Sequence, residues 1–245
     1  MRGGRKEGFV VALEGQSGVG KTAVSRAVAG RTGAMRIAEA ADRLRPRPTL
    51  RYRSPAGLRR LETRLLAEEG RRYATARRAR TLGRLVVADT GFLGPLTYSA
   101  GLARLDPAFD VRPTLAQSAR RLEAAGMWGP ADLHVVLVAP SREIARRLAR
   151  APAAHPEDLR DRHARVGRAE LATWRRLGRT TLPGRIAFVS ATGPVEAVVG
   201  RVVRAVDRAR EGTPPPPPAG PVAAAALGLP SVTVKSRSRS ARPPP

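Results

Sequence analysis

The sequence predicts an α/β fold, a parallel sheet with helices on both faces. Two observations carry that prediction. Five short apolar runs alternate with longer helical or Arg-rich segments, and the first run ends in a glycine-rich turn. Short runs of Val, Leu, Ile and Ala suit strands buried on both faces, and their alternation with helices is the pattern of a parallel sheet.

The elements follow in order. Phe9-Val10-Val11-Ala12-Leu13 reads as a buried strand, with a helix opening at Lys21 and running to about Gly30. Met35-Arg36-Ile37-Ala38 is a second strand ending at Glu39, followed by an irregular, Pro- and Arg-rich connection. Ser54-Pro55 is a helix start, with Ser as N-cap and Pro at the first helical position. Leu58, Leu61, Leu65, Tyr73 and Ala76 give that long helix an apolar stripe, and Gly83 ends it. Leu85-Val86-Val87-Ala88 is the third strand, terminating at Asp89, and a helix is expected around Leu115 to Ala125. Leu133 to Val138 is the fourth strand, with a helix capped by Ser141 after it and a break at Pro152. A second basic stretch runs from Pro156 to Arg176. Ile186-Ala187-Phe188-Val189 is the fifth strand, and Val195 to Arg210 the last helix.

Composition bounds the class. A chain of 245 residues accommodates one α/β domain with a full core. With no cysteine there is neither a disulfide nor a thiolate metal site, and a cytoplasmic location is expected. No apolar run reaches the roughly 18 residues of a membrane span. The N-terminus is charged and leads straight into the first strand, unlike a signal peptide. A net charge of +25 raises nucleic acid as a partner. However, nearly all cations are Arg, in a chain also rich in Ala, Gly and Pro, a joint bias that GC-rich coding produces by itself. The arginines are not interleaved with aromatics that stack bases. Nucleic acid is therefore not favoured, and an anionic small substrate accounts for part of the charge.

The most specific motif is Gly15-Gln16-Ser17-Gly18-Val19-Gly20-Lys21-Thr22, a P-loop. Its glycines let the backbone curl so that N–H groups point at phosphates, and the following helix adds its N-terminal partial charge. Lys21 would reach the β- and γ-phosphates, and the Thr22 hydroxyl would coordinate Mg²⁺. Asp89 ends a strand at the sheet edge where ligands gather in open α/β folds, a place to hold the Mg²⁺ water shell or accept a proton. Glu39 is a second acid of this kind. Arg146, Arg147 and Arg150, then Arg160, Arg162 and Arg165, are candidates to clamp phosphates by bidentate guanidinium pairing. His134, His155 and His163 lack metal-ligand spacing and are assigned no chemistry.

These residues, with Val189-Ser190-Ala191-Thr192-Gly193-Pro194-Val195-Glu196 after the fifth strand, resemble the nucleoside and nucleoside-monophosphate kinases, thymidylate and deoxynucleoside kinases above all. The resemblance spans roughly Phe9 to Arg210. It implies a P-loop NTPase fold with strand order 2-3-1-4-5, ATP and Mg²⁺ as cofactors, and a basic lid over roughly 142–176 in which Arg146 and Arg150 serve. It implies that the loop with Ala191, Thr192 and Gly193 packs against adenine, and that Asp89 and Glu39 stand for the family's acids after the third and second strands. The kinase-like domain would cover 1–211, and 212–245, Pro/Ala/Arg-rich, would be a disordered tail.

The chain departs from the family in having Thr90-Gly91 where an Arg follows the acid, so the substrate-phosphate contact made there is either missing or supplied by Arg47, Arg51 or Arg53. Tyr98 is placed to line the acceptor pocket. The expected activity is transfer of the γ-phosphoryl of ATP to a small acceptor, a nucleoside or nucleoside monophosphate. A P-loop ATPase or nucleotide-gated module on nucleic acid, and a kinase of another metabolite, stay open, as does a homodimer.

Overall fold

The first apolar run becomes the central strand of a five-stranded sheet. The computed structural model describes residues 8–46, 48, 52–150, 157–212, 217 and 219–229. In chain order these form β1 (Phe9–Glu14), α1 (Lys21–Thr32), β2 (Met35–Ile37), α2 (Ala40–Arg43), α3 (Pro55–Thr81) and β3 (Leu85–Asp89). Then come α4 (Gly94–Leu105), α5 (Arg112–Ala124), β4 (Leu133–Val138), α6 (Ser141–Ala149), α7 (Glu157–Thr180), β5 (Ile186–Ser190), α8 (Val195–Gly212) and α9 (Ala219–Leu227). The sheet order is β2-β3-β1-β4-β5 and every pairing is parallel, so the strand order expected from the resemblance is observed.

Strand alternation divides the core. Val11, Leu13, Val87, Val135 and Leu137 face α1, α6 and α8, packing on Val24, Val28, Ile144, Val198 and Val202. Val10, Ala12, Val86 and Ala88 face the opposite layer, with Ala76, Ala79 and Phe92. Successive side chains point to opposite faces, so a strand covered on both sides must be apolar throughout. Register sets the site: Leu13 lies beside Asp89 on one flank and beside Val135 on the other.

Ser54 caps α3 as expected, its Oγ accepting from Gly57 N at 3.1 Å. The buried stripe of α3 is rotated from the expected one. It comprises Leu58, Glu62, Leu66, Glu69, Arg72, Ala76 and Ala79, with Leu61 and Leu65 at its margin. Charged groups on that stripe hid it from a hydrophobic count. Ser141 is the first residue of α6 rather than its cap, the N-cap position being Pro140. Within the segment expected as a basic lid, residues 157–180 form one continuous helix whose Val166, Trp174 and Leu177 are fully buried.

The tail expected from residue 212 onward also contributes structure. Within it α9 buries Val222, Ala223, Ala226 and Leu227 in the same cluster as Leu102 of α4, Leu115 of α5 and Leu177 of α7. Arg176 donates to the Ala225 carbonyl at 2.6 Å near the helix's C-terminal end, where a cation is favourable. Each buried Val or Leu contributes roughly 1.5–3 kcal/mol. Truncation after Gly212 is therefore expected to lower stability by about 3 kcal/mol, net of the ordering entropy recovered. Urea denaturation of the two chains checks this; an unchanged midpoint would show α9 to be dispensable.

Candidate functional site

Sequence-predicted site residues follow each strand's carboxyl end: the P-loop after β1, Glu39 after β2, Asp89 at the end of β3, the arginines of α6 after β4, and Ala191, Thr192 and Gly193 after β5. Between β1 and α1 the turn takes its shape from glycines with φ of 122° at Gly15, 79° at Gly18 and 104° at Gly20. A Cβ on Gly15 would sit 2.5 Å from the Leu137 carbonyl, and one on Gly18 would sit 2.7 Å from Leu148. Both glycines are thus required by space as well as by backbone angle. No side chain caps α1 and no acid stands in its first turn, which leaves its N-terminal N–H groups directed into the loop. Lys21 Nζ curls over the same loop, donating to the carbonyls of Gly15 at 2.7 Å and Gln16 at 3.3 Å. Thr22 is half-buried on the first turn.

Asp89 is fully buried at the end of β3. Its Oδ2 accepts from Arg36 at 2.5 Å, and Arg36 Nε donates to Ser25 Oγ at 2.9 Å. Its Oδ1 has no hydrogen-bond partner among the described residues, an orphaned buried acceptor of the kind that a ligand or its water shell satisfies. The next residue, Thr90, has φ 60°, left-handed backbone costly for a β-branched side chain. Arg72 of α3 holds this turn by donating to the carbonyls of Asp89 and Thr90, each at 2.7 Å, while pairing with Glu69. Arg72 thus braces the Thr90-Gly91 turn from α3 through backbone carbonyls. Arg47 and Arg51 lie outside the described residues, and Arg53 is exposed.

Glu14 and His134 escaped the sequence reading. Glu14 ends β1 immediately before Gly15 and is 2% exposed. His134 Nε2 accepts from Ala131 N at 3.2 Å, so the ring proton sits on Nδ1 and is donated to Glu14 Oε1 at 2.9 Å. The other carboxylate oxygen accepts from Gly91 N at 3.2 Å, which ties the end of β1 to the turn after β3. The signal for Glu14 was the one used for Asp89, an acid ending an apolar strand. No signal marks Arg72 among so many arginines.

Of the arginines after β4, Arg147 is the one at the P-loop. It donates to the carbonyls of Val19 and Ala191, each at 2.8 Å, and so joins the loop before α1 to the loop after β5. Arg146 turns to Glu143 on the exposed side of α6, and Arg150 is exposed at its end, so neither is brought to the loop. Ala191 is buried, whereas Thr192 and Gly193 are exposed, with Arg201 of α8 holding the Thr192 carbonyl at 2.6 Å. Beside them Phe188 and Arg175 flank an open groove against Val138 and Pro140.

Helix α7 covers the other side of the P-loop. A Cβ on Gly167 would lie 2.5 Å from Gln16 Cβ, so only glycine lets the helix pass this close. Glu170, one turn on, lines a small cavity with Gly15, Gln16 and Trp174. Its oxygen accepts from Thr97 at 3.4 Å. Burial raises Glu170 to about 7, with nearby Lys21 opposing. Burial raises Glu62 to about 8, with the negative charge of Glu170 adding to it, and Glu69 to about 8 despite its Arg72 partner. Glu39, half-buried before α2, adds its charge to the field at Glu69.

Those shifts fix a pH dependence. Because Glu62 and Glu69 are raised in the fold, the unfolded chain releases their protons first. Stability is then greatest below about pH 4.5 for these groups and falls as pH rises toward 8. Denaturation midpoints compared across pH 5 to 8 for the protein and for Glu62→Gln check it. The variant is expected to show the shallower decline, and equal slopes would contradict the assignment.

No protein-family model and no curated protein sequence matches the chain. Among solved structures, the deoxyadenosine kinase of M. mycoides with bound dATP superposes with a TM-score of 0.62 at 11% identity, covering 81% of this chain and 99% of that one. The fold is that of deoxyadenosine kinase. The same enzyme with products dCMP and a flexible dCDP gives 0.61 at 11% identity, and with bound dCTP 0.53 at 10%, each over 82% of this chain and 100% of the other. Deoxyadenosine kinase and this protein thus share architecture along nearly the whole kinase chain with little sequence in common.

Proposed function

We propose that the protein is a phosphotransferase that moves the γ-phosphoryl of ATP-Mg²⁺ to a hydroxyl or phosphate of a small acceptor, a nucleoside or nucleoside monophosphate by analogy with the kinases that share its fold. The observation that carries the proposal is the P-loop: three glycines of positive φ, an uncapped helix N-terminus and Lys21 follow β1, which pairs with β3 where that strand ends at Asp89 and its orphaned Oδ1. A donor's phosphates fit the ring of inward N–H groups, and Lys21 would exchange its two carbonyl partners for phosphate oxygens.

Magnesium fits the residues present. Asp89 Oδ1 and the Thr22 hydroxyl offer two oxygens, and among the described residues no cluster of three His, Cys, Asp or Glu forms a cage. Mg²⁺ is commonly held in this sparse way, by one or two protein oxygens plus phosphates and water. Bound there, it would neutralise charge on the transferring phosphates. The chain's own residues do the rest. Arg36 keeps Asp89 in place, and Arg147 fixes the P-loop against the loop where Phe188 and Thr192 leave room for the donor's base. The acceptor oxygen would bond to the γ-phosphorus as the β–γ bridging bond breaks. ADP leaves with that electron pair, and the acceptor's proton passes to a carboxylate, Asp89 or Glu39.

The test is ATP consumption by the full chain across nucleosides, nucleotides and hydroxyl metabolites. Acceptor-dependent ADP formation supports the proposal. Acceptor-independent hydrolysis stimulated by DNA or RNA would overturn it in favour of an ATPase.

A further inference from the structure

Strand parity puts Arg36, Val87 and Asp89 on one face of the sheet. Arg36 lies beside Val87 in register, and Asp89 is two residues further along β3, so all three point to the side that α1 covers. Met35 and Ile37 pack on the opposite layer, which leaves Arg36 as the residue of β2 that meets α1. Its guanidinium donates from Nη2 to Asp89 Oδ2 at 2.5 Å and from Nε to Ser25 Oγ at 2.9 Å. Because Ser25 Oγ accepts there, its own proton goes to the Thr22 carbonyl, at 3.0 Å. Asp89 and Ser25 are fully buried. One chain of hydrogen bonds thus runs from Asp89 on β3, through Arg36 on β2, to Ser25 and Thr22 on α1. Its two ends are the residues whose oxygens suit magnesium.

The pairing at Asp89 is one-sided. Oδ2 is held by the guanidinium, whereas Oδ1, equally buried, has no hydrogen-bond partner among the described residues. The last torsion of an Asp side chain is broad and nearly two-fold, so nothing intrinsic distinguishes its two oxygens. Arg36 distinguishes them. With Oδ2 committed, Asp89 presents a single oxygen to an ion or its water shell. Glu14, at the end of β1, is engaged through both of its own oxygens, by His134 Nδ1 and Gly91 N. The number of oxygens offered separates the common divalent ions. Magnesium is satisfied by one or two protein oxygens with phosphates and water, whereas calcium takes roughly six to eight oxygens and accepts a carboxylate through both of its atoms.

We propose that Arg36 is a positioning residue that sets the ion preference of the site: by fixing Asp89 as a one-oxygen donor, it favours magnesium over calcium. This rests on the phosphotransferase reading above and names the group through which that site chooses its metal. Ser25 belongs to the same device, because it holds Nε and so fixes the plane in which Nη2 meets Asp89. Charge alone does not discriminate. The guanidinium repels two divalent ions equally, so its charge cancels in the ratio of their affinities, while its hold on Oδ2 acts against calcium.

The test uses the full chain and the non-hydrolysable analogue β,γ-imido-ATP, its binding measured by calorimetry in saturating magnesium and in saturating calcium. The parent should bind it more tightly with magnesium. Arg36→Met is expected to shift the ratio of the two affinities toward calcium by about tenfold. Arg36→Lys, which keeps a donor for Asp89, should recover part of the parent ratio. Ser25→Ala should shift the ratio in the same direction by less, and combining it with Arg36→Met should add nothing, since both act through one chain of bonds. Thermal melts accompany each variant. A merely structural role for Arg36 would weaken binding with both ions alike and leave the ratio where it was. A parent preference for calcium, or a parent ratio in folded Arg36→Met, overturns the proposal. Where Arg36→Met does not fold, a parent ratio in both Arg36→Lys and Ser25→Ala overturns it. The phosphotransferase reading fails on a separate readout, ADP formation that needs no acceptor or is untouched by Lys21→Ala.

Discussion

Replacing Lys21 by Ala is expected to reduce acceptor-dependent ADP formation by about 10³-fold, with the fold intact. The magnitude follows from removing one preorganised cation from a site where negative charge moves between phosphates, a loss of roughly 4 kcal/mol in transition-state stabilisation. The fold should tolerate the change because Lys21 is half-buried and its own bonds go to two loop carbonyls that solvent can reach. Single-turnover assays on the variant, with a thermal melt as control, check the expectation. Turnover within a few-fold of the parent would remove Lys21, and with it the P-loop, from the chemistry.

Gly91→Ala is expected to damage both stability and activity. A Cβ at this position would fall on Glu14 Oε1, 2.6 Å from its Cδ and 2.8 Å from Ala12 Cβ. Glu14 cannot swing aside without breaking its bonds to His134 and to Gly91 N itself, all of them buried. Overpacking alone costs about 1–3 kcal/mol, and breaking a buried hydrogen-bonded pair adds a similar amount, so a loss of about 4 kcal/mol is expected. The same shift would move the turn after β3 that carries Asp89, and ATP turnover should fall by more than the loss of folded protein explains. Denaturant titration combined with activity per folded molecule separates the two effects. A variant as stable and active as the parent would show that the Glu14–His134 contact is not rigid.

The two substitutions mark different depths of legibility. Lys21 announces itself, because phosphate binding needs three glycines and a lysine close together in sequence, at the hinge between a strand and a helix. The strands were equally plain, since a strand covered on both faces has no polar side to interrupt it; β4 begins and ends where the apolar run does. Ser54-Pro55 marked its helix because capping is a local interaction. Helix α4 gave no such sign. Pro95, Leu96, Thr97, Ser99, Ala100, Gly101, Leu102 and Ala103 are all buried, so the helix has no solvent face and no amphipathic period. The small apolar residues of α9 were read as low complexity because their partners lie on three distant helices.

By itself, then, the sequence determined the α/β class and the phosphate-binding turn, features written in neighbouring residues. Only the tertiary structure decided which charges are satisfied. Whether Glu14 meets His134, Arg72 reaches the Thr90 carbonyl, or Arg36 pairs with Asp89 depends on segments far apart in the chain, whose burial turns an ordinary surface residue into a constrained one. A buried charge takes its meaning from every element packed around it, and no local pattern of residue types encodes that environment.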